Sequence, residues 1–300
     1  MSKQPNHYDN LSIDIDELFD NKIKPKQIKP RNRFVRLLSR YWSAILIKLH
    51  LYEVLVEIGL IKKWFLDFKE YWYECLGGRP IYLHDFYFLL GLYRTRFQYV
   101  ETPDYAPTED FLDSWQNNNT IYMLFGAVRR FSRTPLISRK YERYIRNNDS
   151  VLEYGCGLAP ITTSLIHCGL RRNLDLTIAD IRQINFHYAI YTLGNLVSHF
   201  EIKPNLIKDF PKKYNVIIMI TVMEHLPNPL ETVKNITNFL DKGGIFIFDY
   251  QGDDAEGQDT IESIDQKSEV LEHIKENYTV LKGKIDFNNP MGMTVVKKST

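Results

Sequence analysis

The sequence predicts an α/β fold: a doubly wound, mostly parallel sheet with an antiparallel terminal hairpin, preceded by a mainly helical N-terminal region. Three observations carry that expectation. From Val151 onward, short apolar runs alternate with helical stretches, as parallel strands joined by crossover helices do. The stretch Val151-Leu-Glu-Tyr-Gly-Cys-Gly-Leu-Ala-Pro160 reads as a strand, two glycines one residue apart, and a helix start. Ahead of it the alternation is missing, and aromatic-rich helical segments take its place.

The bounds are ordinary. A chain of 300 residues, 44% hydrophobic and 25% charged, fits one large domain or a domain with a sizeable extension. A net charge of +1 gives no overall attraction to nucleic acid. Three scattered cysteines (Cys75, Cys156, Cys168) suit neither a disulfide framework nor a zinc site. Met1 to Asn10 is polar and does not read as a signal peptide, so a cytoplasmic location is expected.

Residues 1–30, polar and with prolines at 5, 25 and 30, read as a loosely ordered tail. Between Lys22 and Lys48 every charge is basic. Phe34, Leu38, Tyr41, Ile45, Leu49, Tyr52 and Val56 recur at three- and four-residue steps, which predicts an amphipathic helix. Charges at Lys48, Glu53 and Glu57 make it too interrupted to span a bilayer. Three readings stand open for it. It docks on the rest of the protein with a solvated basic face, it makes a peripheral membrane contact through residues 22–48, or it binds phosphate groups.

Residues 31–146 read as a helical, aromatic-rich extension. Gly77-Gly78-Arg79-Pro80 splits residues 60–100 into two helices, Thr102 to Thr108 is a loop, and a short helix carries Phe111, Leu112 and Trp115. After a polar break at 117–119, helices are expected from Ile121 to Phe131 and from Pro135 to Arg146. The aromatics pack a core or wall a planar acceptor.

From 147 to 300 the expected strands are Val151–Tyr154, Leu174–Asp180, a short one near Leu206, Val216–Thr221 and Gly244–Tyr250. Helices fall near 160–168, 183–198, 229–240 and 263–276, and a hairpin pairs Tyr278–Ile285 with Thr294–Lys297. Pro160 suits a first helical turn, where its missing N–H is not needed. The Gly155-x-Gly157 joint lets backbone approach a ligand and aims free helix amides at it.

Glu153-x-Gly155-x-Gly157 resembles the first motif of class I S-adenosylmethionine (SAM) methyltransferases; a dinucleotide fold would want a third glycine where Pro160 stands. Tyr214 to Pro229, an apolar strand followed by Glu224-His225-Leu226 and a proline-bearing turn, is similar to that family's fourth-strand signature, with Asn215 departing from its frequent aspartate. Phe239-Leu-Asp-Lys-Gly243-Gly244 resembles its helix stop and fifth strand. The resemblance spans residues 151–298 and implies a Rossmann-like SAM-binding domain over 147–300, with the helical extension as a lid or acceptor-binding part. It implies Glu153, Gly155, Gly157, Asp180, Ile181, Asp209, Phe210 and Thr221 as cofactor contacts. Asp180 accepts ribose hydroxyls or caps a helix; Asp209 meets the adenine amino group and Phe210 flanks the ring.

Methyl transfer from a sulfonium is mainly positioning and water exclusion. A hydroxyl acceptor also needs a base, and His225, oriented by Glu224, is the candidate; a structural Glu-His pair is the other reading. With Thr221 three residues before that pair, no metal is expected. The favoured activity is methylation of a small molecule such as a sugar, lipid-linked or aromatic metabolite. The alternatives are an RNA or protein methyltransferase using the basic run, and a SAM-binding partner subunit without activity.

Overall fold

The computed structural model describes residues 11–21, 23, 25–78, 80–96, 115–116, 120–203, 210–251 and 259–299. The expected strand near Leu206, Asp209, the loop 102–108, the helix at Phe111–Leu112 and the break at 117–119 lie outside them.

Seven strands form one sheet: β1 (Ser150–Tyr154), β2 (Asp175–Asp180), β3 (Ser198–Glu201), β4 (Tyr214–Met219), β5 (Leu240–Tyr250), β6 (Tyr278–Lys282) and β7 (Met291–Lys298). Their order is β3-β2-β1-β4-β5-β7-β6. β1 to β5 run parallel, with Val151 opposite both Leu176 and Val216, and β7 runs antiparallel to β5 and β6. The chain therefore reverses its winding between β1 and β4, and a crevice opens there at the carboxyl ends of the strands.

Strand alternation sorts the core. Leu152, Ile217, Met219, Phe246 and Phe248 pack on one face with α9 (Pro229–Asn238) and α11 (Lys267–Asn277). Val151, Val216, Ile218, Ile247 and Val295 face the other way, onto Ile161 and Leu165 of α7 (Pro160–Cys168).

Two expectations along this half need correction. The helix expected over 183–198 is α8 (Ile184–Leu193), and it stops at Gly194, whose φ is +51°. A side chain there would meet the Lys26 carbonyl at 1.9 Å, because the N-terminal segment crosses at this point. The chain then turns into β3 at Ser198. The single helix expected over 135–146 is two 3-10 turns, Ile137–Lys140 and Glu142–Tyr144.

The N-terminal half supplies α1 (Ile15–Asp20), α2 (Arg33–Lys48), α3 (Tyr52–Glu57), α4 (Lys63–Glu74), α5 (Leu83–Arg96) and α6 (Ile121–Ser132). Its aromatics form a second core: Phe68 lies 4.9 Å from Phe86 and 5.1 Å from Phe125, and Tyr71 lies 4.9 Å from Tyr188 of α8. Packing consumes these rings. Described residues between 11 and 30 make specific contacts: Asp14 caps α1, Lys26 bridges to Asp67 and Glu70, and the Ile28 N–H donates to Asn195 Oδ1 at 2.7 Å.

The periodic stretch 34–56 breaks at His50, where φ is +56°, into α2 and α3. The orientation of α2 leaves only part of its basic residues solvated. Arg40 grips Glu142 at 2.8 Å and Arg36 donates to the Arg171 carbonyl at 3.1 Å, so these two face the protein, while Arg33 and Lys48 stay exposed. Phe34, Leu38, Tyr41, Trp42, Ile45 and Leu49 point outward.

Candidate functional site

At the end of β1 the chain turns through Gly155 (φ +63°), Gly157 (φ +50°) and Ala159 (φ +50°) before Pro160 opens α7. The two glycines do different work. A side chain on Gly155 would strike Val222 at 2.4 Å, so this residue lets the loop pack against the end of β4. A side chain on Gly157 would meet no protein atom within 4 Å; it borders open space.

Two buried carboxylates fix this turn. Glu153 accepts from the Ile161 N–H at 3.3 Å and the Thr162 N–H at 2.7 Å, using the free amides of the α7 N-terminus. Asp180, at the end of β2, accepts from the Gly157 N–H at 2.5 Å, the Ile181 N–H at 2.7 Å and Gln183 Nε2 at 2.9 Å. Burial pushes the Glu153 carboxyl up to about 7 and the Asp180 carboxyl up to about 6, against the opposing pull of those hydrogen bonds.

At the ends of β4 and β5 a second group gathers. Thr221, with φ +57°, donates its N–H to Asp249 Oδ1 at 2.6 Å. Glu224 is buried, and burial together with the charges of Asp249 and Asp259 raises its carboxyl to about 8, so it is protonated at neutral pH. The Glu224 carbonyl accepts from the Thr260 N–H at 3.0 Å and from Ser263 Oγ at 2.7 Å, which ties the Glu-His turn to α10 (Ile261–Asp265). His225 Nδ1 stands 4.0 Å from Asp259 Oδ1, within ion-pair range when the ring is protonated.

Of the residues expected to hold the cofactor, Glu153, Gly155, Gly157, Asp180 and Ile181 come together in one loop cluster, with Thr221 joined to the second group through Asp249. Glu153 holds the helix end, accepting there with both of its oxygens. Phe210 is buried, 5.4 Å from Phe239 and 5.7 Å from Phe200. Gln183, Asp249 and Asp259 were not anticipated. Asp249 had a signal, a carboxylate at the end of a strand; Asp259 lies in a polar stretch with no pattern.

A family profile described as a methyltransferase domain matches residues 128–281, just over half of the chain. The chain belongs to that methyltransferase family. It is a class I SAM-dependent methyltransferase, and S-adenosylmethionine is its cofactor. The residues present fit that group. Gly157 leaves room beside the loop, and Asp180 lies next to it with carboxylate lone pairs still able to accept from hydroxyls. A search of curated proteins returned no match. Among solved structures, a SAM-dependent methyltransferase from Aquifex aeolicus aligns at TM-score 0.41 and 14% identity, over 56% of this chain and 92% of that one. The N-methyltransferase NodS from Bradyrhizobium japonicum WM9 gives 0.42 and 13%, over 57% and 98%. The pyocyanin biosynthetic protein PhzM gives 0.44 and 14%, over 71% and 73%.

Proposed function

We propose that this methyltransferase acts on a hydroxyl of a small molecule, with His225 as the base that takes the hydroxyl proton. The pairing of His225 with Asp259 carries the proposal. An imidazole that accepts a proton becomes a cation, and a buried carboxylate 4.0 Å away stabilises that cation. Glu224, held neutral by burial, adds no competing negative charge and orients the turn through its carbonyl. SAM, when bound by the glycine loop and Asp180, supplies an electrophilic methyl group together with its own leaving group. The remaining work of the chain is to align the acceptor and exclude water.

A small acceptor is favoured over RNA because part of the basic run is committed inside the molecule. Lys26, Arg36 and Arg40 all bind protein groups.

The test uses His225→Ala and Asp259→Asn with SAM and a panel of sugars and phenols, following methylated product by mass spectrometry. His225→Ala should lower the rate by about 10²–10⁴ while SAM affinity stays nearly intact. Asp259→Asn should lower the rate less and shift the acid limb of the pH–rate profile toward lower pH, as the imidazolium loses its counter-charge. A His225→Ala enzyme at full rate excludes the base role. Joint loss of melting temperature and SAM affinity makes the pair structural.

A further inference from the structure

Helix α2 is amphipathic and mounted the opposite way from a helix that feeds a core. Its inward side carries Arg36, Ser39, Arg40, Ser43 and Leu46, of which Ser43 and Leu46 are buried. Arg40 bridges to Glu142 and also donates to the Cys168 carbonyl at 3.2 Å, so polar bonds hold the helix down. The outward side is apolar: Phe34, Leu38, Tyr41, Trp42, Ile45 and Leu49 are between 49% and 73% exposed. At 100° per residue these six fall within an arc of about 100° of the helix surface. The exposure continues past α2 at Val54, Ile58 and Leu60. Contiguous apolar surface on this scale marks an interaction site.

Charge decides between the occupants. Residues 22–48 contain nine basic side chains and no acidic one, and Lys29, Arg33 and Lys48 are exposed. A second copy apposed through the same face would bring like charges together. An anionic lipid surface complements them, since basic side chains are attracted to such a surface. Trp42 and Tyr41 are the ring types that settle at the headgroup level. Among the described residues no helix is long and apolar enough to cross a membrane, so α2 would lie in the interface plane.

We propose that the outward face of α2 seats this methyltransferase on an anionic lipid bilayer. Because α2 is held through Arg36 and Arg40 on its other side, it is presented to the membrane preformed.

The experiment is co-sedimentation of the full chain with phosphatidylglycerol/phosphatidylcholine vesicles and with pure phosphatidylcholine vesicles, beside the double variant Leu38→Glu/Ile45→Glu. The wild type should pellet with the anionic vesicles, bind neutral ones at least tenfold more weakly, and release as salt rises. The double variant should lose at least tenfold in vesicle affinity while keeping its melting temperature and SAM affinity, since both side chains already face out. Trp42 fluorescence, isolated by difference from Trp42→Phe, should shift to shorter wavelength on anionic vesicles alone. A wild type that stays in the supernatant, or a folded double variant that binds vesicles as well as the wild type does, overturns the proposal. A wild-type dimer that the double variant dissociates, with no vesicle binding by either, assigns the face to a second copy and also overturns it. If the double variant does not fold, Trp42→Ser alone replaces it with the same readouts.

Discussion

The two halves of the crevice at the sheet's carboxyl edge use the same residue type and finish it differently. At β1 and β2, the four carboxylate oxygens of Glu153 and Asp180 receive N–H donors from Ile161, Thr162, Gly157, Ile181 and Gln183. At β4 and β5, Glu224 is buried beside Asp249 and Asp259, and its Oε2 finds no hydrogen-bond partner among the described residues. In the first half every carboxylate oxygen is hydrogen-bonded, which stiffens a strained backbone. The second keeps a carboxyl neutral by burial, with one of its oxygens unpartnered among the described residues.

The largest effect that could break this contrast lies in the glycines. Gly155→Val should clash with Val222 and resist a φ of +63°, lowering melting temperature and SAM affinity together. Gly157→Val should leave the fold largely intact yet weaken SAM at least tenfold, because it fills the open side of the loop. Calorimetry and thermal melts on both variants check this. Equal losses of melting temperature in the two would dissolve the distinction between packing glycine and ligand-facing glycine.

Asp180→Ala comes next. It removes the proposed acceptor for ribose hydroxyls and frees the Gly157 N–H at once, and should cost about 1.5–3 kcal/mol of SAM affinity. Titration with adenosine separates the two roles, since equal adenosine binding by variant and wild type removes the ribose contact from the account.

A smaller effect follows from Glu224. Its folded value of about 8 lies above the ordinary 4.5, so between those values the folded chain keeps a proton that the unfolded chain has released. Stability from this group is therefore lost as pH rises from about 4.5 to 8 and is level above that. Glu224→Gln mimics the neutral acid. Its melting temperature should match the wild type near pH 5 and exceed it increasingly up to pH 8. A constant difference across that range would mean that Glu224 is ionised in the fold.

The smallest is on the cradle side. With Asp180 raised to about 6, SAM affinity should decline as pH falls below 6 and the carboxylate protonates, while staying flat between 7 and 8. Isothermal titration at pH 5, 6 and 7 checks it.

The sequence by itself determined whatever depends on neighbours along the chain. Gly155 and Gly157 announced positive φ, Pro160 announced the helix start, and the alternation after Val151 announced a parallel sheet, since each is a local backbone or periodicity constraint. It also placed Asp180 and the Glu224-His225 pair at strand ends. Contacts between distant segments were beyond it. Helix α8 ends at Gly194, where Lys26, far away in sequence, crosses, and β3 begins at Ser198. Asp259 joins His225 only through the fold of the chain after β5. The orientation of α2 shows the limit most plainly. Periodicity established that one side of the helix is apolar and the other basic, but a hydrophobic stripe does not specify what it faces. Glu142 and the carbonyls of Cys168 and Arg171 supply hydrogen-bond acceptors for Arg36 and Arg40, and these tertiary contacts turn the apolar face away from the protein.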